Sequence, residues 1–320
     1  MEYTGPYGLN HIHPTCLLHN KDPRPRAGGF VQMRAFAKIN LILDILSKRP
    51  DGYHNLYSVM QTLKLHDIIT ITKKPAEAGT DNFLLTCSDP NLPTDDRNLV
   101  TRAAKYILKK YNINQAINIH LEKYIPQSAG LAGGSSDCAA TITGLNALLN
   151  LGIPLYSNEK CSLMSIGQQF GADVSFCLTG GTAIAEGIGE ILTPLPPHPH
   201  CWVVLACPNI PVSTADIFGQ YKPITKQNKN HKKIIDAITQ GDLQGIAANF
   251  SNDLTQVTTK LHPTISKLIT TMIAQGALNA AMSGSGPSVF GYFDDKDAAQ
   301  KAHNVMEKQA GRAFLTEIYP

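Results

Sequence analysis

Twelve residues, Pro126-Gln127-Ser128-Ala129-Gly130-Leu131-Ala132-Gly133-Gly134-Ser135-Ser136-Asp137, constrain this chain more than any other stretch. Before them Ile117, Ile119 and Leu121 alternate as in a strand. After them Ile142, Leu145 and Leu149 recur at helical spacing, so a helix is expected to begin near Ser135. Glycines let a backbone come close to a ligand and take up conformations barred to other residues. A helix start presents unpaired N–H groups and the positive end of the dipole, which together suit a phosphate chain. Ser135 and Ser136 offer hydroxyls to phosphate or to Mg²⁺. The same pattern also serves an ordinary glycine turn with a serine cap. No GxxxxGK[ST] or GxGxxG occurs in the chain, so an anion loop here is of a third kind.

At 320 residues the chain has room for one large or two modest domains. Its 43% apolar and 17% charged residues suit a globular protein and exclude wholesale disorder. A formal charge of +3, with no basic stripe interleaved with aromatics, argues against nucleic acid as a partner. It is compatible with binding a polyanionic nucleotide. The seven cysteines form no CxxC pair, which fits neither a disulfide framework nor a zinc site and points to a reducing cytoplasm. No apolar run approaches the roughly 20 residues of a spanning helix, so no membrane association is expected. Residues 1–32 are rich in proline and lack a clear period. We expect them to be a loose extension, or to precede a true start at Met33.

Strands are expected at Ala35–Leu46, around Leu63 to Ile71, and at Phe83–Thr86, with a turn at Arg49-Pro50-Asp51-Gly52. Leu99, Ala103, Tyr106 and Ile107 share a helical face, with Asp95 or Asp96 as its cap. A helix from Asn158 to Gln169 should stop at Gly171, followed by strands at Val174–Leu178, Thr182–Ala185 and Trp202–Cys207. Helices are expected at 213–219, 231–240, 242–250 and 263–275. Two strands should flank Ser283-Gly284-Ser285-Gly286, and a helix from Asp295 should precede a closing strand at Ala313–Ile318. Strands and helices mix without strict alternation, so the fold class is α+β in two domains. The proline-rich stretch Leu195–His200 is the junction, giving domains at 33–195 and 196–320.

Four motifs occur in order: Ala35-Phe36-Ala37-Lys38-Ile39-Asn40-Leu41, the glycine loop, Gly171-Ala172-Asp173-Val174, and Met282-Ser283-Gly284-Ser285-Gly286-Pro287. As an ordered set they resemble the GHMP kinase superfamily from about Met33 to the C-terminus. The resemblance implies an N-terminal α+β domain beside a smaller α/β domain, with the active site in the inter-domain cleft. It also implies phosphoryl transfer from ATP, with Mg²⁺, to the hydroxyl of a small molecule.

Carried over residue by residue, Asp173 matches the family's catalytic aspartate and Lys38 the lysine beside the transferring phosphoryl group. By themselves they would pass for a turn residue and a strand lysine. The ATP site would comprise Asn98, Lys123 and the loop residues Pro126, Gln127, Ser128, Ala129, Gly130, Leu131, Ala132, Gly133, Gly134, Ser135 and Ser136. Asn98 could equally start a helix, and Lys123 could end a strand in solvent. The segment Arg49-Pro50-Asp51-Gly52-Tyr53-His54 is similar to that of members whose substrate carries cytosine. Tyr53, His54 and Phe218 would hold the base, and Asn40 and Thr214 would touch the substrate. Mevalonate, homoserine or sugar kinases of the superfamily have no base to stack, and a nucleotide sensor would need no reacting pair. The chain departs from the pattern at Ala132, where some members have glycine, and at Ser175, where proline commonly follows the Asp-Val pair.

Overall fold

The computed structural model describes residues 29–75, 82–157, 161–222 and 231–319. Two long strands, β1 (Phe30–Lys48) and β2 (His54–Pro75), pair antiparallel around the turn at Arg49–Gly52. There follow β3 (Phe83–Cys87), α1 (Leu99–Lys110), β4 (Gln115–Glu122), α2 (Gly133–Leu148), α3 (Leu163–Gly167), α4 (Ala172–Thr179), β5 (Thr182–Gly187) and β6 (Ile191–Pro194). The remainder comprises β7 (Trp202–Ala206), α5 (Thr214–Gln220), α6 (Lys232–Gln240), α7 (Leu243–Ala248), β8 (Ser251–Asn252), α8 (Thr255–Leu261), α9 (Thr264–Ala274), β9 (Asn279–Met282), β10 (Val289–Phe293), α10 (Lys296–Ala310) and β11 (Ala313–Glu317).

The strands form two sheets. The first runs β3-β4-β2-β1-β8, with β5 also on β2 and β6 on β5; the second runs β11-β7-β10-β9. β2 is long enough to serve two neighbours. Ile68–Pro75 pair with β4, and Leu56–Gln61 pair with β5. The β1–β2 register shifts between Phe36 and Lys38 and again between Asn40 and Ile42. Such bulges bend a strand and re-aim its side chains, and these two bracket Lys38, Ile39 and Asn40 of the first motif. Val31, Met33, Ile69, Ile71, Ile117 and Ile119 of the first sheet pack under Ala103, Ile107, Ile142 and Leu145 of α1 and α2. Ile39, Leu41, Val59 and Leu63 pack instead with Val203, Leu205, Phe290 and Tyr292 of the second sheet. The two halves therefore share an apolar core, and the class is α+β as expected. Among the described residues no helix is long and apolar enough to cross a membrane.

Several local expectations need correction. Val174–Leu178 lie in α4, not in a strand, because the run is apolar on all sides and packs against α2 and α3. Periodicity cannot separate a short buried helix from a buried strand. The cap of α1 is Asn98, whose side chain accepts from Val100 N, since Asp95 and Asp96 are engaged by Arg97 and Lys105. α2 starts at Gly133 rather than Ser135. The extension is shorter than expected: Phe30–Gln32 already belong to β1, where Val31 is core. The rest of that extension and the helix start at Asn158 lie outside the described residues. The elements β6, β8 and α8 had no clear sequence signal. β8 lies past the expected junction, yet it pairs with β1 of the first sheet.

Candidate active site

A cleft of about 730 Å³ runs between the two halves. Its walls include Lys38 and Asn40 from β1, Ser58 from β2, and Asn98 at the start of α1. Lys123, most of the glycine loop, Asp173 of α4, Thr214 and Phe218 of α5, Gly284 and Ser285 complete them.

The glycine loop is held by the opposite half of the molecule. Gly130 has φ +75°, and a Cβ there would stand 2.3 Å from the Ser283 carbonyl oxygen, so only glycine fits against that backbone. The Ser283 hydroxyl donates to Gly130 O at 2.9 Å, and Ser288 N donates to Ala129 O at 3.3 Å. Ala129 and Leu131 are buried in the core, so any ligand meets only their backbone. The Leu131 carbonyl in turn accepts from Lys38 N at 3.1 Å. Ala132 is left-handed at φ +57°, which turns the chain into α2, and Gly133, Gly134 and Ser135, whose N–H groups have no partner within the helix, line the cleft. Ser136 differs from its neighbour. Its hydroxyl is spent on the Gly133 carbonyl at 2.8 Å and it is buried. Pro126, Gln127 and Ser128 line the outer wall, with Gln127 hydrogen-bonded to Asp89.

Below the loop, Lys38 and Asp173 come together although 135 positions separate them. The Lys38 ammonium stands 3.3 Å from Asp173 Oδ2; the lysine side chain is 5% exposed and the aspartate 33%. Asp173 occupies the first turn of α4, where the helix dipole favours a carboxylate. Lys38 also donates to Asn40 Oδ1 at 2.8 Å, and Asn40 Nδ2 donates to Ser58 Oγ at 2.9 Å.

Lys123 is in a different situation. Its ammonium is clamped between Asp67 Oδ2 at 2.5 Å and Asp137 Oδ2 at 2.8 Å, with all three side chains buried. Asp67 Oδ1 also accepts the Tyr124 and Ile125 N–H groups. Burial pulls the Lys123 ammonium down, but the two carboxylates more than offset it and hold it above the usual lysine range. Burial pushes the Asp137 carboxyl up to about 8; Lys123 opposes that shift and Asp67 adds to it. Asp137 Oδ1 is buried without a hydrogen-bond partner.

Asn98 lines the cleft, but its amide is committed to the helix start. Oδ1 accepts from Val100 N, and Nδ2 donates to Pro93 O. At the other end Thr214 Oγ1 and Ser285 Oγ lie 2.9 Å apart, joining α5 to the Ser283–Gly286 loop. The rings of His54 and Phe218 approach to 5.5 Å, while Tyr53 stands exposed beside them at the hairpin tip. Burial, then the nearby Lys48, holds His54 below the usual imidazole range.

Sequence reasoning missed Ser58, Asp67, Asp137 as a partner of Lys123, and Ser285. Asp67 had no available signal, for it meets Lys123 only because β2 pairs with β4. Ser285 lay in a motif already noted, and only its contact with Thr214 was hidden.

Two domain families match the chain: GHMP kinases N terminal domain over residues 98–181 and GHMP kinases C terminal over residues 234–313. A protein of Lachnoclostridium phytofermentans called 4-diphosphocytidyl-2-C-methyl-D-erythritol kinase is 43% identical over 297 residues, which is 90% of this chain and 97% of that one. A Bacillus cereus protein of the same name is 41% identical over 287 residues, 90% of this chain and 94% of its own. The crystal structure of a 4-(cytidine 5'-diphospho)-2C-methyl-D-erythritol kinase superposes with TM-score 0.76 at 29% identity, covering 91% of this chain and all of that one. A homoserine kinase from Cytophaga hutchinsonii, 19% identical, shares the fold with TM-score 0.72 over 92% of this chain and 96% of its own. On this likeness along nine-tenths of its length, the chain belongs to the GHMP kinase family, enzymes that pass a phosphoryl group from ATP to a small molecule.

Proposed function

We propose that this chain phosphorylates the 2-hydroxyl of 4-diphosphocytidyl-2-C-methyl-D-erythritol with ATP, a step of the non-mevalonate isoprenoid pathway. The observation that carries the mechanism is the Lys38–Asp173 pair, 3.3 Å apart in the cleft below the glycine loop. Asp173 accepts the proton of the substrate hydroxyl as its oxygen attacks the γ-phosphorus. The bond from that phosphorus to the β–γ bridging oxygen breaks, and ADP leaves with the electron pair. Lys38 offsets the charge on the phosphoryl oxygens as they move. A loose transition state asks less for a strong base than for alignment, and burial of Lys38 and Asn40 supplies a rigid floor.

The N–H groups of Gly133, Gly134 and Ser135 hold the phosphate chain, with the backbone of Ser128 to Ala132 around it. Asn98 and Lys123 bound the adenine end. Lys123 does so as a fixed wall, because its charge is already shared by two carboxylates. Among the described residues no cluster of three or more His, Cys, Asp or Glu forms a metal cage. The donors that are present, Asp173 and the Ser135 hydroxyl, fit Mg²⁺, which takes one or two protein oxygens and rides on substrate phosphates. When bound, Mg²⁺ neutralises charge on those phosphates. Phe218 and Tyr53 supply faces for the cytosine, and His54 supplies a hydrogen-bonding edge beside Phe218. Asn40 and Thr214 contact the alcohol. We place the enzyme in a reducing cytoplasm, which the unpaired state of its six described cysteines supports.

The test is ADP release from Mg-ATP with the cytidyl-linked substrate, run beside mevalonate, homoserine and galactose. Turnover confined to the cytidyl substrate is expected. Turnover of a different alcohol would overturn the base pocket, and ATP binding without any turnover would leave a nucleotide sensor.

A further inference from the structure

We propose that Ser58 is a positioning residue: its hydroxyl sets the direction of the hydrogen bonds that aim Lys38 at Asp173. The proposal rests on the phosphoryl-transfer mechanism above, because that mechanism gives Lys38 and Asp173 their roles. The starting point is the bulge in β1 between Asn40 and Ile42. At its edge the Ile42 carbonyl oxygen accepts from Ser58 Oγ at 2.6 Å.

A serine hydroxyl has one proton to give. A carbonyl can only accept, so the Ser58 proton is committed to Ile42. Toward Asn40, 2.9 Å away, Ser58 then has only a lone pair to offer, and the asparagine must present its NH₂ group. That leaves Asn40 Oδ1 facing the opposite way, 2.8 Å from the Lys38 ammonium, which can only donate. Each link has one solution, fixed from both ends, since the Ile42 carbonyl can only accept and the Lys38 ammonium can only donate. Ser58, Asn40 and Lys38 are all buried, so bulk water does not compete for these bonds. The 3.3 Å contact between Lys38 and Asp173 is the loosest link and follows from the tighter ones.

Without the hydroxyl, the Ile42 carbonyl loses the Ser58 proton and Asn40 Nδ2 loses its acceptor. The Asn40 amide then stays paired with the ammonium through Oδ1 but is no longer anchored at its other end. The two side chains can swing together, and Lys38 moves off Asp173.

Four variants test this: Ser58→Ala, Ser58→Thr, Asn40→Ala and the double Ser58→Ala/Asn40→Ala. Misplacing a reacting group by about 1 Å costs on the order of 10²-fold, so Ser58→Ala is expected to lower kcat by about that factor with the KM for ATP little changed. Ser58→Thr keeps the hydroxyl and should restore most of kcat. The double variant should be no worse than Asn40→Ala, since both act along one chain of contacts. A crystal structure of Ser58→Ala should show Lys38 out of hydrogen-bond reach of Asp173. Unchanged kcat, an additive double variant, or lost activity with Lys38 still on Asp173 would each overturn the proposal. If Ser58→Ala does not fold, Ser58→Cys, whose thiol is a weak donor, takes the same tests. Failure of the functional reading is separate. It would show as wild-type protein inert toward the cytidyl substrate, while the Lys38 position in the Ser58→Ala crystal still judges Ser58.

Discussion

The cleft has two lysine–aspartate centres, and they differ in nearly every physical respect. Lys38 meets one carboxylate, at 3.3 Å, on a residue a third exposed and set at a helix start. Lys123 meets two, at 2.5 and 2.8 Å, in a pocket from which water is excluded. The first is loose and open, so its charges remain available to an incoming group. The second is closed and saturated. It ties β2, the start of the loop and α2 together below the glycine turn. The same pair of residue types thus lies open to a ligand in one place and closed off in the other, and access rather than composition separates them.

The comparison breaks first at Asp173. Asp173→Asn should lower kcat by about 10²–10⁴-fold, the usual worth of a general acid–base group, with an unchanged melting temperature. Loss of stability together with activity would mean that Asp173 is an anchor too. Lys123→Met should do the reverse. Removing the ammonium that Asp67 and Asp137 share breaks a buried pairing, at a cost of about 3–5 kcal/mol, measurable as a lower urea midpoint, and any fall in activity should track the fraction unfolded. A variant as stable as wild type would remove the anchoring role.

Asp137→Asn sharpens the contrast through pH. With its folded pKa raised to about 8, the Asp137 carboxyl binds its proton more tightly than the unfolded chain does, where a carboxyl releases it at about 4. That contribution to stability is fully present below the unfolded value and is lost as pH rises through the folded one. Urea titrations from pH 4 to 8 should therefore show a steeper loss in wild type than in Asp137→Asn, by the equivalent of one proton. Parallel curves would mean that the carboxyl is ionised in the folded protein. The smallest effect is expected at Ser175 on α4, whose hydroxyl is buried without a partner. Ser175→Ala should stabilise by up to about 1 kcal/mol, since an unmade buried hydrogen bond is a cost. A lower melting temperature would show that the hydroxyl has a use.

Legibility in the sequence followed the range of the interactions. The glycine loop, the helix after it, the Arg49–Gly52 turn and the strands around Ser283–Gly286 were readable, since each rests on neighbours within a few positions. The run Val174–Leu178 was misread because burial on all sides erases the periodicity that distinguishes helix from strand. Lys123 lines the cleft, but its two carboxylates stand 56 and 14 positions away, and the farther arrives only through sheet pairing.

The sequence by itself determined which backbone segments could approach a phosphate chain and which residue types stood ready for acid–base chemistry. Those are local properties of glycine, of helix starts and of the side chains. The tertiary structure decided which lysine remained available and which was consumed, that the Ser136 hydroxyl was spent on Gly133, and that Gly130 had to yield to the Ser283 carbonyl. These depend on distances between groups far apart along the chain. They are settled only when the bulged strand, the loop and the second sheet close on one another around a shared apolar core.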